Sequence, residues 1–161
     1  MSQSSDLQYV GFWPRVGASL IDSILATCVT FPLLVVVYGS LAWDSEALIL
    51  GPAHVFITYI LPAITIIFLW AKMSTTPGKM VIGAKIVDAE TGGKPTVTQF
   101  VIRYIGYIVS AVGLCLGYIW AGFDPRKQGW HDKMAGTVVV RKSGGTTLPV
   151  QFSNTSEEKV L

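Results

Sequence analysis

Long runs of apolar residues dominate the chain, and three of them are long enough to be membrane spans. They cover residues 13–41, 53–71 and 100–123. A helix needs about 20 apolar residues to cross a bilayer, so each run can form a spanning helix. Tryptophan lies near several ends of these runs, which is typical of an interfacial aromatic belt. The pattern predicts an all-α integral membrane protein with two full transmembrane helices and a third hydrophobic segment.

Two short segments outside these runs have the pattern of β-strands. AKIVDA at 84–89 alternates and is followed by the turn-forming ETGGK, and GTVVVRK at 136–142 is rich in β-branched residues. We expect these two strands to pair as a small cytoplasmic cap. The membrane domain then covers residues 1–142, and the polar segment 143–161, rich in Gly, Ser and Thr, predicts a flexible tail.

The distribution of Lys and Arg predicts the orientation of the chain in the membrane. The connection AWDSEALILGP after the first span carries no basic residue, whereas Lys72, Lys79, Lys85 and Lys94 follow the second span. The positive-inside rule therefore places this second region in the cytoplasm. The N-terminus is then cytoplasmic too, in a multi-pass protein of the cell (inner) membrane. We expect Lys72, Lys79 and Lys85 to contact anionic lipid headgroups.

The third segment has basic residues on its C-terminal flank as well, which conflicts with a single crossing. Either the segment crosses once against the charge rule, or it begins as an interfacial helix, enters the bilayer and returns. Arg103 and several glycines within the segment make a broken, re-entrant helix tolerable. We favour the re-entrant arrangement, because the charge rule then holds along the whole chain.

The composition supports a membrane protein. Hydrophobic residues make up 51% of the sequence and charged residues 14%, against about 25% charged in soluble domains. The net charge of +2 and the lack of a cluster of basic residues argue against nucleic acid as a partner. The first apolar run is too long for a signal-peptide core, so we expect it to stay as a span. Cys28 and Cys115 lie in apolar runs and are expected to pack as small hydrophobic residues.

One face of the first helix is small and polar. It carries Arg15, Ser19, Asp22, Ala26 and Thr30 at helical spacing. An ionised carboxylate inside a bilayer costs on the order of 2.5–3.5 kcal/mol, so Asp22 must be paired, hydrated or protonated. Asp22 lies about 10 Å along the axis from Arg15, so we expect both to reach toward a third group or a trapped water. Such a carboxylate can exchange protons in a transporter, or belong to an ion pair that only fixes helix register.

The second helix has a quieter polar face, on which Thr58, Pro62 and Thr65 follow His54. Pro62 cannot donate to the carbonyl of Thr58, which leaves that oxygen for a cation, a water or a hydroxyl. A simple proline kink is the commoner interpretation.

The third segment has a face of small residues, with Gly113 and Gly117 in a GxxxG spacing. Such spacing lets helices approach closely. Packing within the chain and contact between copies in a homo-oligomer both fit this pattern. The candidate packing residues are Gly106, Ser110, Gly113 and Gly117.

The segment FDPRKQGWHDKMAGTVVV, residues 123–140, contains the last candidate site residue, Asp132. His131 next to it has no nucleophile and no metal-ligand spacing to accompany it, so we expect no enzyme activity, metal or cofactor. In the re-entrant arrangement Asp132 lies near Arg15. The expected site is an arginine between two carboxylates, bidentate to one of them and attracting the other.

Together these residues resemble the RDD family, small membrane proteins named for one arginine and two aspartates. The resemblance rests on Arg15, Asp22 and Asp132 and on two long motifs, TPGKMVIGAKIVDAETGG and FDPRKQGWHDKMAGTVVV, and it covers residues 9–142. It implies an integral membrane domain that takes part in transport, and alkali-cation/proton antiport is suggested for members.

Two hypotheses of function follow. In the first, the chain is a small transporter for cations or protons that assembles as a homo-oligomer in the lipid bilayer. Asp22 is then the exchanging carboxylate, Arg15 its partner and Asp132 an anchor. The alternative is a non-transporting scaffold or accessory protein, in which the Arg/Asp/Asp set only locks the strands onto the first helix.

Overall fold

Helices make up most of the described chain. The computed structural model of the protein describes residues 7–113, 116–143, 150 and 152. Along the chain the elements are β1 (Leu7–Tyr9), α1 (Phe12–Tyr38), α2 (Leu41–Asp44), α3 (Pro52–Met73), α4 (Pro77–Val81), β2 (Ala84–Asp88), α5 (Val97–Val112), α6 (Leu116–Phe123), α7 (Trp130–Met134) and β3 (Thr137–Lys142).

Two of these helices, α1 and α3, are long and apolar enough to cross a membrane. The most apolar 18-residue window has a mean hydropathy of 2.3 in α1, which has 27 residues, and of 2.0 in α3, which has 22. Large apolar side chains on both helices, such as Ile24, Val29 and Phe68, are exposed. This arrangement suits helices whose surfaces face lipid acyl chains. The spans predicted at 13–41 and 53–71 correspond to these two candidate spans, with shifted ends.

The first span ends three residues earlier than predicted. Gly39 has a φ of +59°, and its N–H donates to the carbonyl of Val35 at 2.8 Å. Glycine adopts this left-handed conformation without steric cost and commonly ends a helix. The apolar residues after Gly39 therefore belong to the separate short helix α2.

The second span contains a π-helical turn at Phe56–Ile60, in which the N–H of Leu61 donates to the carbonyl of Phe56. Pro62 follows directly. Its ring lacks an N–H and crowds the carbonyl of Thr58, and a wider turn accommodates both defects. The structure therefore has a π-helical turn beside the proline, and the predicted kink stays a prediction.

The three strands form one antiparallel sheet in the order β1–β3–β2. In β2 and β3, Ile86 lies opposite Val139, and in β1 and β3, Leu7 lies opposite Lys142. The predicted pairing of β2 with β3 is confirmed. The edge strand β1 was not predicted, because three residues are too few to show an alternating pattern.

Apolar clusters cover both faces of this sheet, since successive side chains along a strand point to opposite sides. On one face Ile86 and Val139 pack with Trp70 of α3 and Phe100 of α5, which joins the sheet to the helices. The other face carries a cluster of Ala89, Val138, Val140 and Val150, with Phe152 against it.

Two residues of the segment 143–161, for which a flexible tail is predicted, pack on the sheet. Val150 is 2% exposed, and Phe152 lies against Gly92. Both are apolar side chains in an otherwise polar stretch, and burial of apolar area stabilises their contact. Apart from these two and Ser143, the segment lies outside the described residues.

The third apolar segment consists of two helices, α5 and α6, whose axes differ by 102°. It counts as a third candidate span only if this bent pair is taken as one. Residues 114–115, between the two helices, lie outside the residues that the structure describes, so Cys115 does too. Cys28, the other cysteine that we expected to be packed, is exposed on α1.

Candidate functional site

Arg15, Arg103 and Asp132 form a buried ion cluster where α1, α5 and α7 meet. Oδ2 of Asp132 pairs with Nη1 of Arg15, and Oδ1 pairs with Nη1 of Arg103. The side chains of Asp132 and Arg103 are 0% and 1% exposed, and that of Arg15 is 11% exposed. The predicted contact between Arg15 and Asp132 is confirmed. The expected arginine between two carboxylates is wrong, since the structure has a carboxylate between two arginines.

Backbone and hydroxyl groups hold the members of this ion cluster in place. Arg15 donates through Nε to the carbonyl of Val10 at 2.9 Å, and Arg103 donates through Nη1 to Oγ1 of Thr137 at 2.6 Å. The N–H of Gly129, just before α7, donates to the carboxylate at 3.0 Å. The cluster therefore joins the first span, the third segment and the sheet.

The charge state of the cluster follows from its surroundings. Burial would raise the pKa of Asp132, but the charges of Arg103 and Arg15 outweigh burial and hold this pKa well below its usual range. The two arginines therefore favour the ionised form of Asp132. Burial lowers the pKa of the adjacent His131 to about 3, so its imidazole is neutral. The ring packs on Tyr107 with centroids 4.2 Å apart.

Asp22 belongs to a separate group of hydrogen bonds. Its Oδ2 accepts from the hydroxyl of Thr76 at 2.5 Å, and its Oδ1 accepts from the N–H of Gly78 at 2.7 Å. Gly78 lies so close to α1 that a Cβ there would be 2.0 Å from the carbonyl oxygen of Ala18. The three residues predicted as one site are therefore divided. Arg15 and Asp132 belong to the ion cluster, whereas Asp22 bonds to Thr76 and Gly78, a group that we call the Asp22 clasp.

A cavity of about 350 Å³ lies beside the clasp, between α1 and α3. We call it the α1–α3 cavity. Four of the five residues predicted for the polar face of the first helix, Ser19, Asp22, Ala26 and Thr30, line the cavity, and the fifth, Arg15, does not. Apolar residues make up much of the remaining lining, among them Leu25, Val29, Leu61, Ile66 and Leu69. The lining also includes Ser23, Pro62, Thr65, Trp70, Thr76, Pro77, Lys79 and Tyr107.

Thr58, also a candidate site residue, does not line the α1–α3 cavity as the structure describes it. It lies in the π-helical turn, where its Oγ1 is buried without a hydrogen-bond partner among the described residues. The proline-bearing face of α3 reaches the cavity through Pro62 and Thr65 instead.

Lys79 corrects another expectation. Lys72 and Lys85 are exposed, as expected for residues near headgroups, but Lys79 is only 6% exposed. Its Nζ lies 5.2 Å from the ring centroid of Trp70 and 3.4 Å from the hydroxyl of Tyr107. Burial lowers the pKa of this amine. Its helix, α4, has five residues, too few for periodicity to reveal a buried face.

Arg103 is the member of the ion cluster that sequence reasoning did not assign to the site. A charge within an apolar segment usually has a partner, and that signal is present in the sequence. An interfacial start of a re-entrant helix explains the same arginine equally well. The spacing between Arg103 and Asp132 gives no sign that the two side chains meet.

The small residues of the third segment pack within the chain. A Cβ at Gly106 would lie 2.7 Å from Cα of His131, and one at Gly117 would lie 2.5 Å from Oγ of Ser110. A Cβ at Gly113 would lie 3.1 Å from the indole ring that begins α7. Of the two interpretations left open, packing inside one chain is the one that these contacts support.

Several curated proteins are similar to this chain. An uncharacterized protein of Rickettsia prowazekii is 39% identical over 72 residues, and the match covers 45% of this chain but 39% of that protein. The uncharacterized protein YxaI of Bacillus subtilis is 32% identical over 148 residues, 82% of this chain and 97% of its own. The uncharacterized membrane protein YteJ of the same organism is 28% identical over 136 residues, 83% and 82% of the two chains.

No solved structure is significantly similar to the chain. The family model described as the RDD family matches residues 9–136, which include both candidate spans, the ion cluster and the Asp22 clasp. The chain therefore belongs to the RDD family of membrane proteins.

Proposed function

We propose that this RDD-family protein is a small transporter that exchanges alkali cations for protons through the α1–α3 cavity. The observation that carries the proposal is the position of Asp22, which is the only carboxylate among the described residues that line the cavity. Ser19, Thr30 and Thr65, which carry hydroxyl oxygens, line the same cavity. Oxygen ligands of this kind suit hard cations.

The hydrogen bonds of Asp22 leave capacity for an ion. A carboxylate has about four acceptor positions, and Thr76 and Gly78 use two of them. The remaining positions can coordinate a cation without release of the segment that Asp22 holds. Because the same two bonds fix the carboxylate, less conformational entropy is lost when a cation binds.

Lys79 supplies a second charge that can couple the cation to a proton. It lines the same cavity, and burial lowers its pKa, so it releases a proton more readily than an exposed lysine. Protonated Lys79 repels a cation at Asp22, and a bound cation favours the neutral amine. This mutual exclusion is the coupling that exchange requires.

The proposal includes a cytoplasmic N-terminus and a re-entrant third segment. β1 precedes α1, β2 follows α3 and β3 follows α6, and the strands of one sheet must share one side of the membrane. Two crossings return the chain to its starting side, so α5 and α6 then enter and leave on that side. Their 102° bend supports this arrangement, and the distribution of Lys and Arg supports the cytoplasm as the side.

The proposal also includes a homo-oligomer, because two spans per copy enclose only part of a path. Exposed apolar side chains on α1, such as Leu20 and Val36, are available to lipid and to a second copy alike. Light scattering of the detergent-solubilised protein measures the number of copies directly.

Ion flux in liposomes tests the transport function. Purified protein is reconstituted with a pH-sensitive dye inside, and sodium, lithium or potassium is added outside. Asp22→Asn keeps an acceptor for the N–H of Gly78 and removes the charge, so proton movement is expected to fall to that of empty liposomes. Asp44→Asn, in α2 and outside the cavity, is the matched control and is expected to keep the flux of the unmodified protein.

The second candidate function is the non-transporting scaffold. It is favoured by the ion cluster, in which Asp132 is fully paired and joins the first span to the sheet. A well-folded protein without cation-driven proton movement, together with a loss of folded protein in Asp22→Asn, would support this second function.

A further inference from the structure

A second cavity, of about 500 Å³, lies beside the ion cluster between α1, α5, α6 and α7. The charged side chains that line it are Arg15, Lys79 and Arg103, and no carboxylate is among its described lining residues. We call it the basic cavity. Its apolar lining residues are Phe12, Val16, Leu20, Ile119 and Ala121.

Positive charge at the basic cavity exceeds the negative charge that compensates it. Arg15 and Arg103 share the single carboxylate of Asp132. Nζ of Lys79 contacts the hydroxyl of Tyr107, and no carboxylate forms an ion pair with it in the described part of the chain. When Lys79 is protonated, three cations face one anion, an excess of two charges, and uncompensated charge is costly at buried positions. A bound anion would remove most of this cost.

The same side chains have hydrogen-bond donors to spare. Nη2 of Arg15 and Nε of Arg103 are buried and have no hydrogen-bond partner in the described residues. The planar guanidinium presents its donors as a fork that matches the oxygens of a phosphate group. Nδ1 of His131, which also lines the cavity, has no hydrogen-bond partner among these residues either.

We propose that the basic cavity binds the phosphate group of an anionic phospholipid. A free phosphate ion shares the charge and the oxygens, but the apolar lining favours a ligand with an apolar part. Leu20, at the edge of the cavity, is 60% exposed on the candidate span α1, where an acyl chain can continue along the helix. This site goes beyond the proposed cation exchange, because it concerns a second cavity with the opposite charge preference. The basic cavity shares Ser19, Ser23, Lys79 and Tyr107 with the α1–α3 cavity, but Asp22 is not among its lining residues.

Ligand-dependent thermal unfolding of the full-length protein in a mild detergent tests the site, since a ligand that binds the folded state raises its stability. The probes are short-chain phosphatidylglycerol, phosphatidylcholine with the same chains, and inorganic phosphate. We expect phosphatidylglycerol to bind more tightly than phosphatidylcholine. Lys79→Met, which leaves the ion cluster intact, is expected to weaken binding about tenfold, since it removes a charged hydrogen-bond donor. Lys72→Met removes an exposed lysine outside the cavity and is the matched control.

The outcomes separate the sources of the phosphate. If only phosphatidylglycerol binds, the ligand of the basic cavity is a phospholipid. If inorganic phosphate binds equally tightly, the ligand is the free ion and not the lipid. The proposal is overturned if neither anion binds, or if Lys72→Met weakens binding as much as Lys79→Met. If Lys79→Met does not fold, Arg15→Lys provides the test instead. This variant keeps the positive charge and loses the planar guanidinium, so we expect it to bind phosphatidylglycerol more weakly. Unchanged binding in Arg15→Lys would count against the site.

Discussion

The N–H of Gly78 donates to Oδ1 of Asp22 at 2.7 Å, which fastens the segment after α3 to α1. The hydroxyl of Thr76 adds a second bond to the same carboxylate. The approach is close enough that only a residue without a Cβ fits at position 78, because the carbonyl of Ala18 occupies the space. One aspartate of the family motif therefore joins two elements beside the α1–α3 cavity.

Gly78→Ala is expected to destabilise the protein by about 2 kcal/mol or more, as overpacking typically costs 1–3 kcal/mol and here the contact is with backbone. Thermal unfolding followed by tryptophan fluorescence in detergent measures the effect. Gly17→Ala on α1 is the control, since no atom lies within 4 Å of its added Cβ. Equal melting temperatures for the two variants would contradict the close approach.

Asp132→Asn leaves the buried guanidiniums of Arg15 and Arg103 without a negative partner. We expect a loss of about 3–5 kcal/mol in the free energy of unfolding, as when one member of a buried ion pair is removed. Asp124→Asn breaks a pair with Lys133, which is 45% exposed, and is expected to cost about 1 kcal/mol or less. Chemical denaturation of both variants compares them, and a similar loss in the two would rule out a special role for the ion cluster.

His131 predicts a pH dependence of stability. Burial lowers its pKa from 6.5 to about 3, so the unfolded chain binds a proton between these values that the folded chain does not. Stability is therefore fully present above pH 6.5 and is lost as the pH falls toward 3, with a slope that approaches about 1.4 kcal/mol per pH unit.

The window from pH 6.5 to pH 5 isolates this histidine, because the depressed pKa values of Asp88, Asp124 and Asp132 act at lower pH. Unfolding free energies measured across the window should fall in the unmodified protein. In His131→Gln the slope should be smaller. An unchanged slope in the variant would assign the pH dependence to other groups.

Periodicity and charge placement revealed the parts of the site that lie on long elements. The face that includes Ser19, Asp22 and Thr30 was predicted because α1 spans many turns, and these residues do line a cavity. The contact of Arg15 with Asp132 followed from placing both at one side of the membrane. Helical periodicity repeats over many turns, and basic residues on one side of the membrane add up along the chain. Both patterns can therefore be detected in a single sequence.

The remaining features depend on tertiary contacts that leave no periodic signal. Asp22 bonds to the backbone N–H of Gly78, and the sequence gives no direct sign of a backbone donor as a partner. Lys79 lies on a helix of five residues, and β1 has three, so neither shows its buried side. Asp132 pairs with Arg103 as well as with Arg15 because α5 packs on α7, and the sequence gives no sign of this packing.

The hydroxyls of Thr30 and Thr27 form a matched pair for testing the α1–α3 cavity. Each donates to the carbonyl four residues earlier at 2.9 Å, but only Thr30 lines the cavity. If the chain exchanges cations as proposed, Thr30→Val is expected to lower the apparent affinity for the cation several-fold, because it removes the hydroxyl oxygen of a cavity-lining residue, and Thr27→Val should leave this affinity unchanged. The dependence of liposome flux on cation concentration provides the measurement. An equal affinity in both variants would exclude Thr30 from the ion path.

The sheet order predicts which positions share a side of the membrane. With Cys28 and Cys115 replaced by serine, single cysteines are introduced at the exposed positions Glu46, Lys85 and Lys142. An impermeant maleimide added to intact cells should label Glu46→Cys. It should label Lys85→Cys and Lys142→Cys only after permeabilisation, because β2 and β3 pair in one sheet and share one side of the membrane. Labelling of Lys85→Cys and Lys142→Cys alone would reverse the orientation and keep the re-entrant segment. Labelling of only one of these two would mean that α5 and α6 make a net crossing, which the sheet does not permit.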